Sequence, residues 1–255
     1  GAVALSSGDV CRVSSRLALS PGCCVGFACD VRWCLSCGAD TGLGTSRLAA
    51  GLLQRATGEH CCLMEGRCVS YGESLPYWPY RDLLRNWLDV SATEGDLRVR
   101  VKLRRKTDET FDGHGAEVYP YLATVLGLNL EPEAAAQLRT LSPESIQFRT
   151  FEVFRELLQR IASRQPVVVS LDDLHWADPT SLALTEGLLS LTEGAPVMLA
   201  ISQRPETDHP SWLLKEKAAR EYRHLFCELA LQPLGHDQEG QLLHSLAQGR
   251  TLPPA

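Results

Sequence analysis

No stretch of the chain approaches the eighteen or so consecutive apolar residues that a membrane-crossing helix needs. The N-terminus lacks the charged start and long apolar core of a secretory signal. Positive charge is also in short supply. Lys and Arg number 25 against 31 Asp and Glu, giving a net charge of −6 and a pI near 5.7. That balance argues against a nucleic-acid-binding surface as the main business of the molecule. A soluble, cytoplasmic protein is the expectation. Beyond residue 68 cysteine is almost missing, with Cys227 standing alone. Cys11, Cys23, Cys24, Cys29, Cys34, Cys37, Cys61, Cys62 and Cys68 all lie before it. A secreted disulfide scaffold is stapled throughout, so this distribution excludes one. Cys34 and Cys37 form a lone C-x-x-C, and Cys61, Cys62 and Cys68 add no second pair at a standard zinc spacing. The thiols read as buried or incidental. No internal repeat is evident.

What is present is a chain of 255 residues, 44% hydrophobic, enough for one sizeable α/β domain or one domain and part of another. Its most informative stretch is Pro166-Val-Val-Val-Ser-Leu-Asp-Asp-Leu-His-Trp-Ala-Asp178. Val167 to Leu171 is too short for a helix and β-branched, the pattern of a strand buried on both faces. Asp172 and Asp173 follow where that strand would end. Ligands of open α/β sheets bind outside the carboxyl ends of the strands. An acidic pair there can hold Mg²⁺ and orient a water for attack on phosphate. It can equally cap a helix and offset its dipole.

The rest of the chain supplies further elements. Residues 1–30 are aperiodic and cysteine-rich, the character of disorder or of a shifted reading frame. Val31–Cys37 alternates as a strand, and a helical pattern follows from Leu48. His60–Met64 reads as a second strand. Tyr80 to Val90 has helical spacing. Asp96 to Asp112 carries Arg98, Arg100, Lys102, Arg104, Arg105 and Lys106, and predicts a solvated helix or loop rather than a docking face. Tyr119 to Leu130 is a further apolar helix. Ser142 and Pro143 are a helix start, followed by a stripe of Phe148, Phe151, Phe154, Leu157, Leu158 and Ile161 expected in the core. Pro179–Leu191 predicts a helix, Pro196–Ser202 a buried strand, and Cys227–Leu231 a last short one. Leu242, Leu243 and Leu246 mark a final helix.

Between the first strand and its helix lies Gly38-Ala-Asp-Thr-Gly-Leu-Gly-Thr-Ser46, the context of a phosphate-binding loop. Against the pattern G-x-x-x-x-G-K-[ST], Gly44 and Ser46 are in place and Gly42 adds flexibility. Ala39 replaces the first glycine and Thr45 replaces the lysine. Backbone N–H groups could still cradle an anion, but the ammonium is gone. Its loss is worth about 1.5–3 kcal/mol, or tenfold to a hundredfold in affinity. Phosphoryl transfer should suffer more, because charge stabilisation is most of that catalysis.

Gly42-Leu-Gly-Thr-Ser-Arg-Leu48, Glu65-Gly-Arg-Cys68, Tyr71-Gly-Glu73, Tyr77-Trp-Pro79, Leu171-Asp-Asp-Leu-His-Trp-Ala-Asp-Pro179 and Arg204-Pro-Glu206 together resemble a known family. It is the AAA-like, STAND-type ATPase module of bacterial multidomain signalling proteins, especially those carrying adenylate or guanylate cyclase domains. The resemblance implies an α/β P-loop NTPase fold, a parallel β-sheet sandwiched by helices, over residues 31–232. It implies the start of a C-terminal helical lid domain at 233–255, and the chain then reads as a fragment. Carried over by position, Gly42, Leu43, Gly44, Thr45, Ser46 and Arg47 would contact ATP. Ser46 and Asp172 would ligand Mg²⁺, Asp173 would polarise the attacking water, and Arg204 would sense the γ-phosphate. His175, Trp176 and Asp178 are assigned to packing and capping. The implied function is an ATP-binding switch with weak or absent hydrolysis, partnered by nucleotide and by other domains of its signalling chain. A nucleotide-free pseudo-ATPase scaffold is the alternative. A cyclase activity in this chain has no second catalytic region to house it. The strands Val31–Cys37, Val167–Leu171 and Val197–Ile201 should end along one edge and bring Gly44, Asp172 and Arg204 around a common cleft.

Overall fold

The computed structural model describes residues 34–38, 61–72, 75–204 and 206–230. The expected phosphate loop, residues 1–30 and residues 233–255 lie outside them. Strands β1 (Cys34–Gly38) and β2 (Cys62–Arg67) come first. Then follow helices α1 (Trp78–Leu88), α2 (Asp96–Thr110), α3 (Gly115–Val125), α4 (Pro132–Arg139) and α5 (Pro143–Ala162). After them come β3 (Val167–Asp172), α6 (Pro179–Leu188), the short α7 (Leu191–Gly194), β4 (Val197–Gln203), α8 (Pro210–Glu221) and β5 (Phe226–Ala230).

These strands form one sheet in the order β2-β3-β4-β1-β5, and every neighbouring pair is parallel. The registers pair Arg67 with Asp172, Leu171 with Ile201 and Gly38 with Gln203. The carboxyl ends of β2, β3, β4 and β1 therefore share one edge. The chain leaves β1 for β2 on one side and later passes β1 to reach β5 on the other. The crevice between β1 and β4 is thus a topological switch point, the place where open parallel sheets bind ligands. Val167 to Leu171 and all of Val197–Gln203 are buried, as strands covered on both faces must be.

The helices between β2 and β3 extend this core. α1 packs on β2 and buries Tyr80, Leu83, Leu84 and Leu88. The Tyr80 hydroxyl, fully buried, shares a 2.8 Å hydrogen bond with Thr185 of α6 and so ties the two helices together. α5 starts as its sequence specifies, with Ser142 Oγ accepting the Ser145 N–H at 3.2 Å and proline in the first turn. α2 is amphipathic, burying Val99, Leu103 and Thr107. Its cations are matched locally: Arg98 and Lys102 by Glu94, Arg100 and Arg104 by Glu131, Arg105 by Glu109, and Lys106 by the Trp87 ring.

Several boundaries differ from the sequence expectation. β2 runs on to Arg67 instead of ending at Met64, because Glu65, Gly66 and Arg67 continue the ladder with β3. Pro132–Arg139 is a helix the apolar pattern did not announce; only Ala134 and Leu138 of it are buried. The expected Pro179–Leu191 helix breaks after Leu188 and resumes at Leu191. Phe148 is 68% exposed, whereas Phe154, Leu157, Leu158 and Ile161 are in the core. The phenylalanine stripe is wider than the buried face of α5, and its first member falls outside.

Gly66 fixes how closely β2 and α1 approach. A Cβ there would stand 2.2 Å from the Pro79 carbonyl oxygen and 3.3 Å from Leu171 Cδ2. Backbone cannot yield as a side-chain end can. Gly66→Ala should therefore destabilise the protein by about 1–3 kcal/mol, read as a lower urea midpoint in equilibrium unfolding. An unchanged midpoint would show that α1 is free to shift.

Candidate functional site

The D-D-L-H-W-A-D-P segment is a sequence of distinct backbone devices. β3 ends at Asp172. Asp173 then takes a left-handed conformation at φ 58°, ψ 42°, which aspartate tolerates better than most side chains. Leu174–Trp176 forms one 3-10 turn, closed by the Trp176 N–H to the Asp173 carbonyl at 2.9 Å. Asp178 is the N-cap of α6. Its carboxylate accepts the Ser181 N–H at 2.9 Å and the Ser181 hydroxyl, and Pro179 occupies the first turn. The last acid of the motif is thus a helix cap, whereas Asp173 makes no side-chain cap hydrogen bond.

Asp172 and Asp173 are held from both neighbouring strands. From β4, the Ser202 hydroxyl donates to Asp172 Oδ1 and accepts the Asp173 N–H at 2.9 Å. From β2, Arg67 Nε lies 3.8 Å from Asp172 Oδ2 and its Nη2 lies 3.5 Å from Asp173 Oδ2. The two carboxylates are 19% and 32% exposed, and Arg67 is 64% exposed. They stay open to a ligand from solvent.

Arg204 follows β4 directly. Its guanidinium carbon lies 5.4 Å above the Trp176 ring, and Nη1 lies 3.6 Å from Glu206 Oε1. His175 is buried beside Trp176, with ring centroids 5.1 Å apart, and neither of its ring nitrogens has a hydrogen-bond partner. Gln203, the last residue of β4, is only 3% exposed, and both polar atoms of its amide also lack partners. Buried polar groups are seldom left so.

Of the residues expected from sequence, Asp172, Asp173 and Arg204 come to the same sheet edge. Gly42, Leu43, Gly44, Thr45, Ser46 and Arg47 lie outside the described residues. β1 nevertheless brings the chain to Gly38 beside Gln203, at the crevice between β1 and β4. Arg67 was read only as part of the Glu65–Cys68 motif, and neither it nor Ser202 nor Gln203 was given a role from sequence. The signal for each is the same: a polar residue ending a strand in a parallel sheet.

A family model described as an AAA ATPase domain matches residues 34–200. The chain belongs to the AAA ATPase domain family. Over 200 residues this AAA domain is 26% identical to an uncharacterized protein of Rhizobium meliloti (strain 1021). The match covers 78% of this chain and 18% of that relative. The chain therefore spans only a small part of the curated relative's length. No solved structure matches it.

AAA ATPase domains as a family bind ATP with Mg²⁺, and the donor set here fits that pair. Among the described residues no three His, Cys, Asp or Glu side chains converge into a protein cage. Mg²⁺ does not need one, because it takes one or two carboxylates and completes its shell with phosphate and water oxygens. Asp172 supplies such a carboxylate, and the unpartnered Gln203 amide at the same edge offers both a donor and acceptor to a polar ligand.

The pKa of His175 is lowered, first by burial and then by the Arg204 charge, against the opposing pull of Asp173 and Glu206. The charge of His209 lowers it further. A histidine harder to protonate when folded binds fewer protons than the unfolded chain does. Its contribution to stability is present above the ordinary histidine value and is lost as pH falls through it. Thermal melting should therefore drop between about pH 7.5 and 5.5, and His175→Phe should flatten that slope. An identical slope in both proteins would place the titration elsewhere.

Proposed function

We propose that the chain is the ATP-binding switch module of a larger signalling protein, such as an adenylate cyclase or a transcriptional regulator, and hydrolyses ATP weakly or not at all. The supporting observation is the acidic pair at the end of β3, oriented by Ser202 at the carboxyl edge of an all-parallel sheet. In this reading the protein works in the bacterial cytoplasm, and its partners are nucleotide and the neighbouring domains of its own chain. Asp172 and Ser46 would hold Mg²⁺, which supplies positive charge beside the phosphates. The Ser202 hydroxyl donates to Asp172 and so fixes the direction of its carboxylate. Asp173 would hold the attacking water through its carboxylate, while its N–H stays tied to Ser202. Arg204 would meet the γ-phosphate after leaving the Trp176 face. Gly42 to Arg47 would wrap the phosphates by backbone N–H groups, short of one cation at Thr45. Binding without efficient turnover suits a switch, since the conformation set by ATP then persists.

The competing reading is a nucleotide-free scaffold. It is favoured by one fact: Arg67 and Ser202 already give Asp172 and Asp173 their partners. Titration with Mg·ATP separates the two. The parent should bind saturably and Asp172→Ala should bind more weakly. Thr45→Lys should tighten binding about tenfold or more and raise phosphate release, since a charge-assisted contact is worth about 1.5–3 kcal/mol. If Thr45→Lys leaves affinity and turnover at the parent level, the loop is no phosphate cradle and the scaffold reading holds.

A further inference from the structure

We propose that Arg67 supplies the phosphate-binding cation that Thr45 does not, by moving from the acidic pair to the terminal phosphate of a bound nucleoside triphosphate. This rests on the nucleotide-binding reading above. Three observations carry it. Arg67 ends β2 in register with Asp172, so its backbone is fixed at the same sheet edge as the acids. Gly66 pressed against Pro79 reinforces that placement and leaves only the side chain free to move. The guanidinium is 64% exposed and meets the carboxylates at 3.8 and 3.5 Å, distances of ion pairing without close hydrogen bonds.

Loose, exposed ion pairs are easily exchanged. A surface pair of this kind shifts an equilibrium by about fivefold at most. An arginine forked onto a phosphate is stronger and directional, worth about tenfold to a hundredfold in affinity. Exchange of one for the other therefore favours nucleotide binding. Reach is not an obstacle. Asp172 would hold Mg²⁺, and a phosphate sharing that ion would lie beside the Asp172 carboxylate. Arg67 already stands there. Arg67 would exchange its loose pair with Asp172 for a phosphate held beside that carboxylate.

The strand order also says which phosphate. The glycine-rich loop follows β1, and β2 is the strand farthest from β1 on that side, with β4 and β3 between them. Arg67 approaches from the side of β3 that faces away from β1. It meets the phosphate that projects farthest toward β3, the γ-phosphate of ATP, and has nothing to grip in ADP. Arg67 would thus let the site tell the two nucleotides apart.

Calorimetric titration of Mg·ATP and Mg·ADP into the parent, Arg67→Ala, Arg67→Lys and Asp172→Ala tests this, with thermal melts of each protein alone confirming that it is folded. Arg67→Ala should raise the dissociation constant of Mg·ATP about tenfold or more and leave that of Mg·ADP within about threefold. Arg67→Lys should recover part of the loss. If Arg67→Ala binds Mg·ATP as tightly as the parent or tighter, Arg67 is a bystander or a competitor. The proposal is then overturned while nucleotide binding stands. Equal weakening of ATP and ADP also overturns it. A parent that binds neither nucleotide removes the nucleotide reading and this one together.

Discussion

The site hangs on one hydroxyl. Ser202 of β4 donates to Asp172 and accepts from the Asp173 N–H, and so binds the ends of two adjacent strands. Without that acceptor the Asp173 N–H, in a left-handed turn, has no neighbour in the ladder to satisfy it. Asp172 would also lose the donor that fixes its carboxylate. Ser202 stands thirty positions after Asp172 and twenty-nine after Asp173, and the parallel register of β3 with β4 makes the meeting possible.

From this point the order spreads by capping and packing. The left-handed turn at Asp173 leads through the 3-10 turn to Asp178, whose carboxylate starts α6. Thr185 on α6 meets the buried Tyr80 hydroxyl of α1, and α1 lies on β2, the strand that delivers Arg67. The acids, their counter-ion and the helices behind them form one connected set. A ligand that draws Arg67 or Arg204 off its present partner acts directly on that set. The proposed switch would need such a connection between its site and its surroundings.

Much of this was legible in the sequence, for reasons particular to each element. Val167–Leu171 and Val197–Ile201 are short β-branched or apolar runs, and a parallel sheet under helices accounts for both. The D-D-L-H-W-A-D segment announced a strand end followed by a cap. What escaped were contacts made between strands. Arg67 and Asp172 are 105 residues apart by number, and only the β2–β3 register makes them neighbours. Ser202 looked like the last residue of an apolar strand, because nothing local says that its hydroxyl faces an aspartate. Phe148 misled in the opposite direction: its spacing fits the stripe, but it falls outside the buried face of α5, which Ile146 and Thr150 occupy at that end. The family match over residues 34–200 agrees with the fold and leaves the signalling role to experiment.

The central claim is that Mg·ATP binds at the carboxyl edge of the sheet, on Asp172. Paramagnetic Mn²⁺ in place of Mg²⁺ tests it directly, by the broadening of backbone amide signals near the metal. With ATP present, the amides of Asp172, Asp173, Gln203 and Arg204 should be bleached, while those of Val167 and Val197 at the opposite edge remain sharp. Without ATP the effect should weaken, since the phosphates complete the metal's shell. Bleaching centred on any other region, or none that depends on ATP, would contradict the account.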